Sequence, residues 1–164
     1  MKKIVFSLFL ISSIAYGQKK LDRLLKKFNE NSVPYITVNQ LKQNKEKVYL
    51  LDSREPKEFK VSHIDKAICV GYDNFDLQQT LKNLPKEKNA KIVVYCSLGI
   101  RSEDVAEQIM KAGYTNVYNL YGGIFEWKNN NQKVVNEKGK ATENIHAFNK
   151  EWGKWLKKGK KIYE

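Results

Sequence analysis

The sequence predicts an α/β fold with a mainly parallel β-sheet. Short apolar runs at residues 48–51, 67–70 and 92–95 lack the alternation of a half-exposed strand, which is typical of strands buried on both faces. Helical patterns lie between such runs, for example the apolar positions at helical spacing within residues 105–110. Because short buried strands alternate with helices along the chain, we expect the strands to run parallel.

The composition indicates one globular domain with a basic surface. The chain has 164 residues, of which 41% are hydrophobic, enough for one core but not comfortably for two. The formal net charge is +12, but the lysines are scattered along the chain and are accompanied by 18 acidic residues. The sequence contains no stripe of arginine and aromatic residues of the kind that binds nucleic acid. We therefore expect no nucleic-acid partner.

The first 17 residues have the pattern of a secretory signal peptide. Lys2 and Lys3 precede an apolar run over residues 4–15, and small residues at Ala15 and Gly17 fit a cleavage site after Gly17. The apolar run is shorter than the roughly 20 residues that cross a bilayer, so we expect no transmembrane segment in the mature chain. The pattern predicts a secreted protein, in a bacterial periplasm.

The two segments that flank the predicted domain each have apolar residues at helical spacing. Residues 18–34 contain leucines at helical spacing and predict an N-terminal helix, and residues 35–135 form the predicted domain. Residues 136–164 are a basic C-terminal extension, for which the apolar spacing predicts an amphipathic helix that also contains His146. We expect this helix to pack on the domain, with contact to a partner or a membrane surface as the alternative. Its apolar positions are Ile145, Phe148, Trp152, Trp155 and Leu156.

Cys96 is the candidate nucleophile. It follows the apolar run 92–95 and opens a loop that leads into a predicted helix, and ligands bind at the carboxyl ends of strands in such sheets. A loop at a helix N-terminus directs backbone N–H groups toward one point, and Gly99 permits the tight turn. These groups and the charge of Arg101 favour a thiolate. Covalent catalysis by such a thiolate needs no metal or cofactor, and we predict none.

Four segments, in order, resemble the rhodanese family, and together they cover roughly residues 35–135. The segment Cys96-Ser97-Leu98-Gly99-Ile100-Arg101-Ser102 resembles the family's active-site loop, C-x-x-G-x-R-S. The other three segments are Leu50-Leu51-Asp52-Ser53-Arg54-Glu55 with Glu58-Phe59, His63-Ile64 with Ala67-Ile68, and Leu120-Tyr121-Gly122-Gly123-Ile124 with Trp127. Ser62 and Lys66 stand where the family has glycine, which predicts a different local turn.

The resemblance implies a five-stranded, mainly parallel sheet with helices on both faces and a sulfurtransferase activity. Cys96 would carry the sulfane sulfur as a persulfide, between a small anionic donor such as thiosulfate and a thiol or cyanide acceptor. Asp52 and Arg54 would brace the loop or attract the donor, and a purely structural ion pair is an equal alternative. The backbone amides of the loop would hold the bound anion; these belong to Ser97, Leu98, Gly99, Ile100 and Arg101.

Two other functions are open. A Cys-dependent phosphatase is the first, although related phosphatase loops have five residues between cysteine and arginine and this sequence has four. A non-enzymatic binding module on the same fold is the second, which retention of Cys96 disfavours. A disulfide between Cys69 and Cys96 is not favoured, because Cys69 lies in a strand-like apolar run. The sequence leaves the oligomeric state open.

Overall fold

The structure is a computed structural model that describes residues 19–43 and 47–163. These residues fall into two compact units, one ending at Asn31 and the other beginning at Ser32. The first unit contains helix α1, residues 19–28, within the predicted N-terminal segment. The predicted signal peptide lies outside the described residues. In the described part of the chain, no helix is long and apolar enough to cross a membrane.

The second unit alternates strands and helices, as the sequence predicts. Its five central strands are β1 (Tyr35–Ile36), β2 (Tyr49–Asp52), β3 (Ile68–Cys69), β4 (Ile92–Tyr95) and β5 (Val117–Leu120). Its α-helices are α2 (Val38–Gln43), α3 (Pro56–Val61), α4 (Leu77–Lys82), α5 (Arg101–Lys111) and α6 (Gly123–Asn129). Four further strands follow, β6 (Val134–Val135), β7 (Ala141–Thr142), β8 (Asn144–His146) and β9 (Lys160–Ile162).

The five central strands form one sheet in the order β1-β5-β4-β2-β3, and every pairing in it is parallel. The predicted α/β fold with a five-stranded sheet is confirmed. Strand β4 is the central strand, and all four of its residues are buried. The residue that follows it, Cys96, therefore lies at the carboxyl edge in the middle of the sheet, between the ends of β2 and β5.

Apolar side chains cover both faces of the sheet. On one face, Val94 packs in a buried cluster with Val105 and Ile109 of helix α5. Side chains alternate across a strand, so Val93 points to the opposite face, where it is also fully buried. The continuous apolar run of β4 is thus explained by helices and loops on both sides of it.

The predicted amphipathic helix in residues 136–164 is wrong. Ile145 lies in β8, which pairs in parallel with β9, and within the described residues 136–163 the only helical turn is a short 3₁₀ helix at Trp152–Trp155. Phe148 has a left-handed backbone, with φ of 64°, which ends any regular helix there. The apolar spacing reflected burial rather than helical periodicity, because Ile145 and Leu156 are both buried but in different elements. Tertiary strand pairing overrode the local pattern.

Candidate active site

Cys96 lies in a tight loop between β4 and α5. The backbone N–H of Gly99 points at Cys96 Sγ, with 3.1 Å between nitrogen and sulfur. The hydroxyl of Ser102, in the first turn of α5, lies 3.6 Å from the same sulfur. Gly99 has φ of 100°, a backbone conformation that side chains rarely adopt, so glycine is required at the turn. The loop therefore supplies a hydrogen-bond donor, the Gly99 N–H, to a negatively charged sulfur at Cys96.

Asn119 of β5 fixes the loop from the neighbouring strand. Its Nδ2 donates to the carbonyl of Gly99 at 2.8 Å, and its Oδ1 accepts from the Ser102 hydroxyl at 2.8 Å. Asn119 is fully buried. Asn119 was not among the predicted site residues, although a polar side chain inside the buried strand Val117–Leu120 is a signal that such a contact exists.

The start of helix α6 fixes the loop from the other side. The N–H groups of Ile124 and Phe125 donate to the carbonyl oxygens of Cys96 and Ser97, at 2.9 and 3.2 Å. A side chain at Gly123 would collide with these carbonyls, because a Cβ there would lie 2.3 Å from the oxygen of Cys96. The glycine at position 123, the first residue of α6, is therefore explained by the close approach of two backbone segments.

Glu58 compensates the charge of Arg101. Arg101 Nη1 and Nη2 donate to the Glu58 carboxylate at 2.8 and 3.0 Å, and Nη2 also lies 3.3 Å from Ser97 Oγ. Burial alone would raise the pKa of Glu58, but hydrogen bonds and charge from Arg101, together with the charge of Arg54, lower it. Glu58 is thus an anion, and Arg101 is one half of a bidentate pair rather than a free positive charge.

Asp52 and Arg54 form a second ion pair, at the carboxyl end of β2. Arg54 Nη2 donates to Asp52 Oδ2 at 2.6 Å, and both side chains are fully buried. The same nitrogen donates to the carbonyl of Ser62 at 2.6 Å. Such burial prevents direct contact with a donor and favours the bracing role of the pair. The pair supports the chain beside Tyr95, whose carbonyl accepts the N–H of Ser53 at 2.9 Å.

The two histidines have different surroundings. The ring of His63 stacks on Phe59 with 3.7 Å between centroids, and its Nδ1 lies 3.0 Å from the Phe59 carbonyl. His146 is not on a helix but in β8, where its Nδ1 lies 3.8 Å from Glu58 Oε1. Burial lowers the pKa of His146, against the opposing charge of Glu58, so the ring is neutral at pH 7. His146 thus packs against the Glu58–Arg101 pair.

Two residues that precede β3 stand where the family has glycine. Lys66 has φ of 66°, the left-handed conformation that favours glycine, so this turn keeps the geometry despite the side chain. Ser62 has φ of −170°, extended backbone that any residue adopts. The predicted change of local turn is therefore wrong at Lys66, whose backbone has the conformation that a glycine would favour.

A cavity of about 130 Å³ opens beside Cys96. The loop residues that line it are Cys96, Ser97, Leu98, Ile100 and Arg101, and the C-terminal extension adds Phe148 and Trp152. The structure thus brings together the predicted site residues of the loop, while Gly99 contributes its N–H. A larger open cavity of about 790 Å³, lined in part by Lys42, Asp65 and Trp127, has no cysteine among the described residues that line it, so we place the chemistry at the smaller one.

Both cysteines are free thiols in the structure. Cys69, at the end of the edge strand β3, is partly exposed, and burial together with the charge of Asp52 raises the pKa of its thiol. A raised thiol pKa makes Cys69 a poor nucleophile. Cys96, which is 2% exposed and receives the Gly99 N–H, is thus the residue suited to covalent chemistry.

The parallel sheet with a cysteine loop at the end of its central strand defines an α/β protein with a thiol-centred site. The family model of the rhodanese-like domain matches residues 37–130. The chain therefore belongs to the rhodanese family. The match ends before the C-terminal extension.

Curated relatives resemble this chain over a small part of their own length. A tRNA uridine(34) hydroxylase of Erwinia tasmaniensis is 37% identical over 92 residues, which are 55% of this chain and 26% of that protein. A probable adenylyltransferase/sulfurtransferase MoeZ of Mycobacterium tuberculosis is 35% identical over 81 residues, 49% of this chain and 20% of that protein. The chain thus spans about a quarter or less of the length of either protein.

Solved structures share the fold. A rhodanese-related protein from Thermoplasma volcanium aligns with a TM-score of 0.56 and 29% identity, over 63% of this chain and 99% of that one. A thiosulfate sulfurtransferase from Pseudomonas aeruginosa aligns with a TM-score of 0.59, over 77% of this chain and 24% of that one. At 19% identity, the second likeness concerns the fold alone.

Proposed function

We propose that the protein is a rhodanese-type sulfurtransferase that moves sulfane sulfur through a persulfide on Cys96. The single observation that carries this proposal is the position of Cys96 Sγ, 3.1 Å from the Gly99 amide nitrogen and beside a cavity. A persulfide formed there is an anion, and the N–H groups of the loop are suited to bind it. The family membership supports the same chemistry.

The reaction has two displacement steps. The Cys96 thiolate attacks the outer sulfur of thiosulfate, the sulfur–sulfur bond of the donor breaks, and sulfite leaves with the electron pair. The persulfide then has one negative charge on its terminal sulfur. Cyanide or an acceptor thiolate attacks that sulfur, forming thiocyanate or a new persulfide, and Cys96 returns to the thiolate. The Gly99 N–H stabilises the anionic sulfur in both steps.

The surroundings of Arg101 support sulfur transfer over phosphate-ester hydrolysis. A phosphatase of this design needs an arginine that binds phosphate, whereas both terminal nitrogens of Arg101 donate to Glu58. The four residues between Cys96 and Arg101 also make a smaller ring of amides than a five-residue loop. That ring suits one sulfur atom better than a tetrahedral phosphate.

An assay with three substrates tests the proposed function. Purified protein is incubated with cyanide and either thiosulfate or methanethiosulfonate, and separately with an aryl phosphate ester. We expect thiocyanate from the sulfur donors and no phosphate release, because the ring of loop amides suits one sulfur atom better than a tetrahedral phosphate. Phosphate release without thiocyanate would establish the phosphatase alternative. Neither product, together with no added sulfur on Cys96, would establish the non-enzymatic binding module.

We also propose that residues 1–17 direct export to a bacterial periplasm. The basic start, the short apolar run and the small residues before Gln18 support this location. When the full chain is produced in a Gram-negative bacterium, the periplasmic fraction should contain a protein that begins at Gln18. Recovery of uncleaved protein from the cytoplasm alone would contradict this location and leave the proposed chemistry unaffected.

A further inference from the structure

Two aromatic side chains from outside the matched family region line the Cys96 cavity. Phe148 and Trp152 belong to the C-terminal extension, which lies beyond the match at residues 37–130. We call these two residues the aromatic wall. Phe148 is 46% exposed, so much of its surface is available to a bound molecule. Leu98 and Ile100 add apolar surface from the loop. The space next to the nucleophile is therefore largely apolar.

Hydrogen bonds hold the aromatic wall in place. The N–H of Phe148 donates to Nδ1 of the buried His146 at 3.2 Å. The N–H of Ala147 donates to the carbonyl of Ile162, which ties this chain segment to β9. The N–H of Trp152 donates to Asn149 Oδ1 at 2.9 Å and begins the 3₁₀ helix. The wall is thus part of the folded unit that contains the sheet.

The cavity offers little free positive charge to a small dianion. Arg101 is the only cationic residue among the described residues that line it, and its charge is balanced by the bidentate pair with Glu58. The guanidinium of Arg101 also lies over the Phe148 ring, with 5.2 Å between its central carbon and the ring centroid. This cation–π contact places the aromatic ring beside the charged end of the site. A donor with an anionic head and an apolar body fits both parts.

We propose that the aromatic wall makes the site selective for sulfane-sulfur donors with an aromatic or other apolar body, in preference to inorganic thiosulfate. This inference rests on the proposed function and specifies its substrate class. The sulfur-bearing head of the donor lies against Cys96 and the loop amides, and its body packs on Phe148 and Trp152. Burial of the apolar body supplies binding free energy that thiosulfate lacks.

Thiosulfonates are suitable probes of this selectivity. In the transfer step, the Cys96 thiolate attacks the terminal sulfur of the thiosulfonate, and the bond between the two donor sulfurs breaks. The sulfinate leaves with the electron pair, and the negative charge of the thiolate moves to the new persulfide. Benzenethiosulfonate and methanethiosulfonate share this head group and charge, and they differ in the body. Their comparison therefore isolates contact with the aromatic wall.

The test compares kcat/KM for these two donors in the wild-type protein and in Phe148→Ala, with cyanide as the acceptor. Since the donors differ in intrinsic reactivity, the measured quantity is the change in their ratio on substitution. We expect Phe148→Ala to lower the ratio of kcat/KM for benzenethiosulfonate to kcat/KM for methanethiosulfonate roughly tenfold. Trp152→Leu should shift the ratio in the same direction.

Tyr49→Ala is the matched control. Tyr49 is an aromatic residue that is 40% exposed, and it begins β2 at the amino edge of the sheet, away from Cys96. We expect this variant to leave the donor ratio unchanged. An equal loss for both donors in Phe148→Ala and in Trp152→Leu, or an unchanged ratio in both, would overturn the inference and leave the proposed function intact. Absence of transfer from either donor in the wild-type protein would instead overturn the proposed function, and this inference with it.

Discussion

Cys96→Ser is expected to lower thiocyanate formation by at least about a thousandfold, to the level of the uncatalysed reaction. The substituted hydroxyl is a far weaker nucleophile than a thiolate and forms no persulfide. The hydroxyl is nearly the same size as the thiol, so the loop should keep its hydrogen bonds with Gly99 and Asn119. The measurement is the initial rate of thiocyanate formation, with circular dichroism to check that the variant is folded.

Cys69→Ser is the control for this substitution. Cys69 is the other free thiol, it lies on the edge strand β3, and it is not among the residues that line the Cys96 cavity. We expect this variant to keep the wild-type rate to within about twofold, because its thiol is a poor nucleophile. Retention of activity in Cys96→Ser, or its loss in a folded Cys69→Ser variant, would contradict the assignment of the nucleophile.

Gly123→Ala is expected to lower the free energy of unfolding by about 3 kcal/mol and to reduce sulfur transfer at least about tenfold. The added Cβ would lie 2.3 Å from the oxygen of Cys96 and 2.7 Å from that of Ser97. Both neighbours are backbone atoms of the active-site loop, so relief of the collision must move the loop or the start of α6. Urea denaturation and the thiocyanate assay measure the two effects.

Gly139→Ala separates this collision from the cost of the backbone conformation. Gly139 has φ of 70°, also in the left-handed region, but a Cβ there would meet no atom within 4 Å. We expect Gly139→Ala to cost only about 1 kcal/mol and to leave sulfur transfer unchanged. Equal effects of the two substitutions on stability and on activity would contradict this account, because they would show that the close approach of α6 to the loop matters neither for stability nor for sulfur transfer.

Much of the central fold was predictable because the local pattern and the tertiary environment agree there. The run at β4 is apolar and rich in β-branched residues, and the structure places a strand at Ile92–Tyr95, the predicted bounds. The position of Cys96 followed directly, since it is the first residue after the central strand. Helix α5 likewise has the predicted apolar stripe on the face that packs on the sheet.

The partners of the site residues were not predictable from spacing. Glu58 pairs with Arg101 across 43 positions of sequence, and that contact depends on how α3 is placed beside the loop.

The prediction of a helix in the C-terminal extension was wrong for a related reason. Its apolar residues are spaced as in a helix, but strand pairing between β8 and β9 and the left-handed backbone of Phe148 depend on tertiary contacts. The position of the aromatic wall beside the cavity could therefore not be predicted from the sequence.

The most direct test of the persulfide on Cys96 is intact-mass and peptide-mapping mass spectrometry of the reduced protein after exposure to a sulfane-sulfur donor. Thiosulfate and benzenethiosulfonate are used in separate samples, and excess donor is removed before analysis. We predict a mass increase of one sulfur atom, located on the peptide that contains Cys96 and removed by cyanide. No added sulfur with either donor, or added sulfur on Cys69 alone, would contradict sulfur transfer through Cys96.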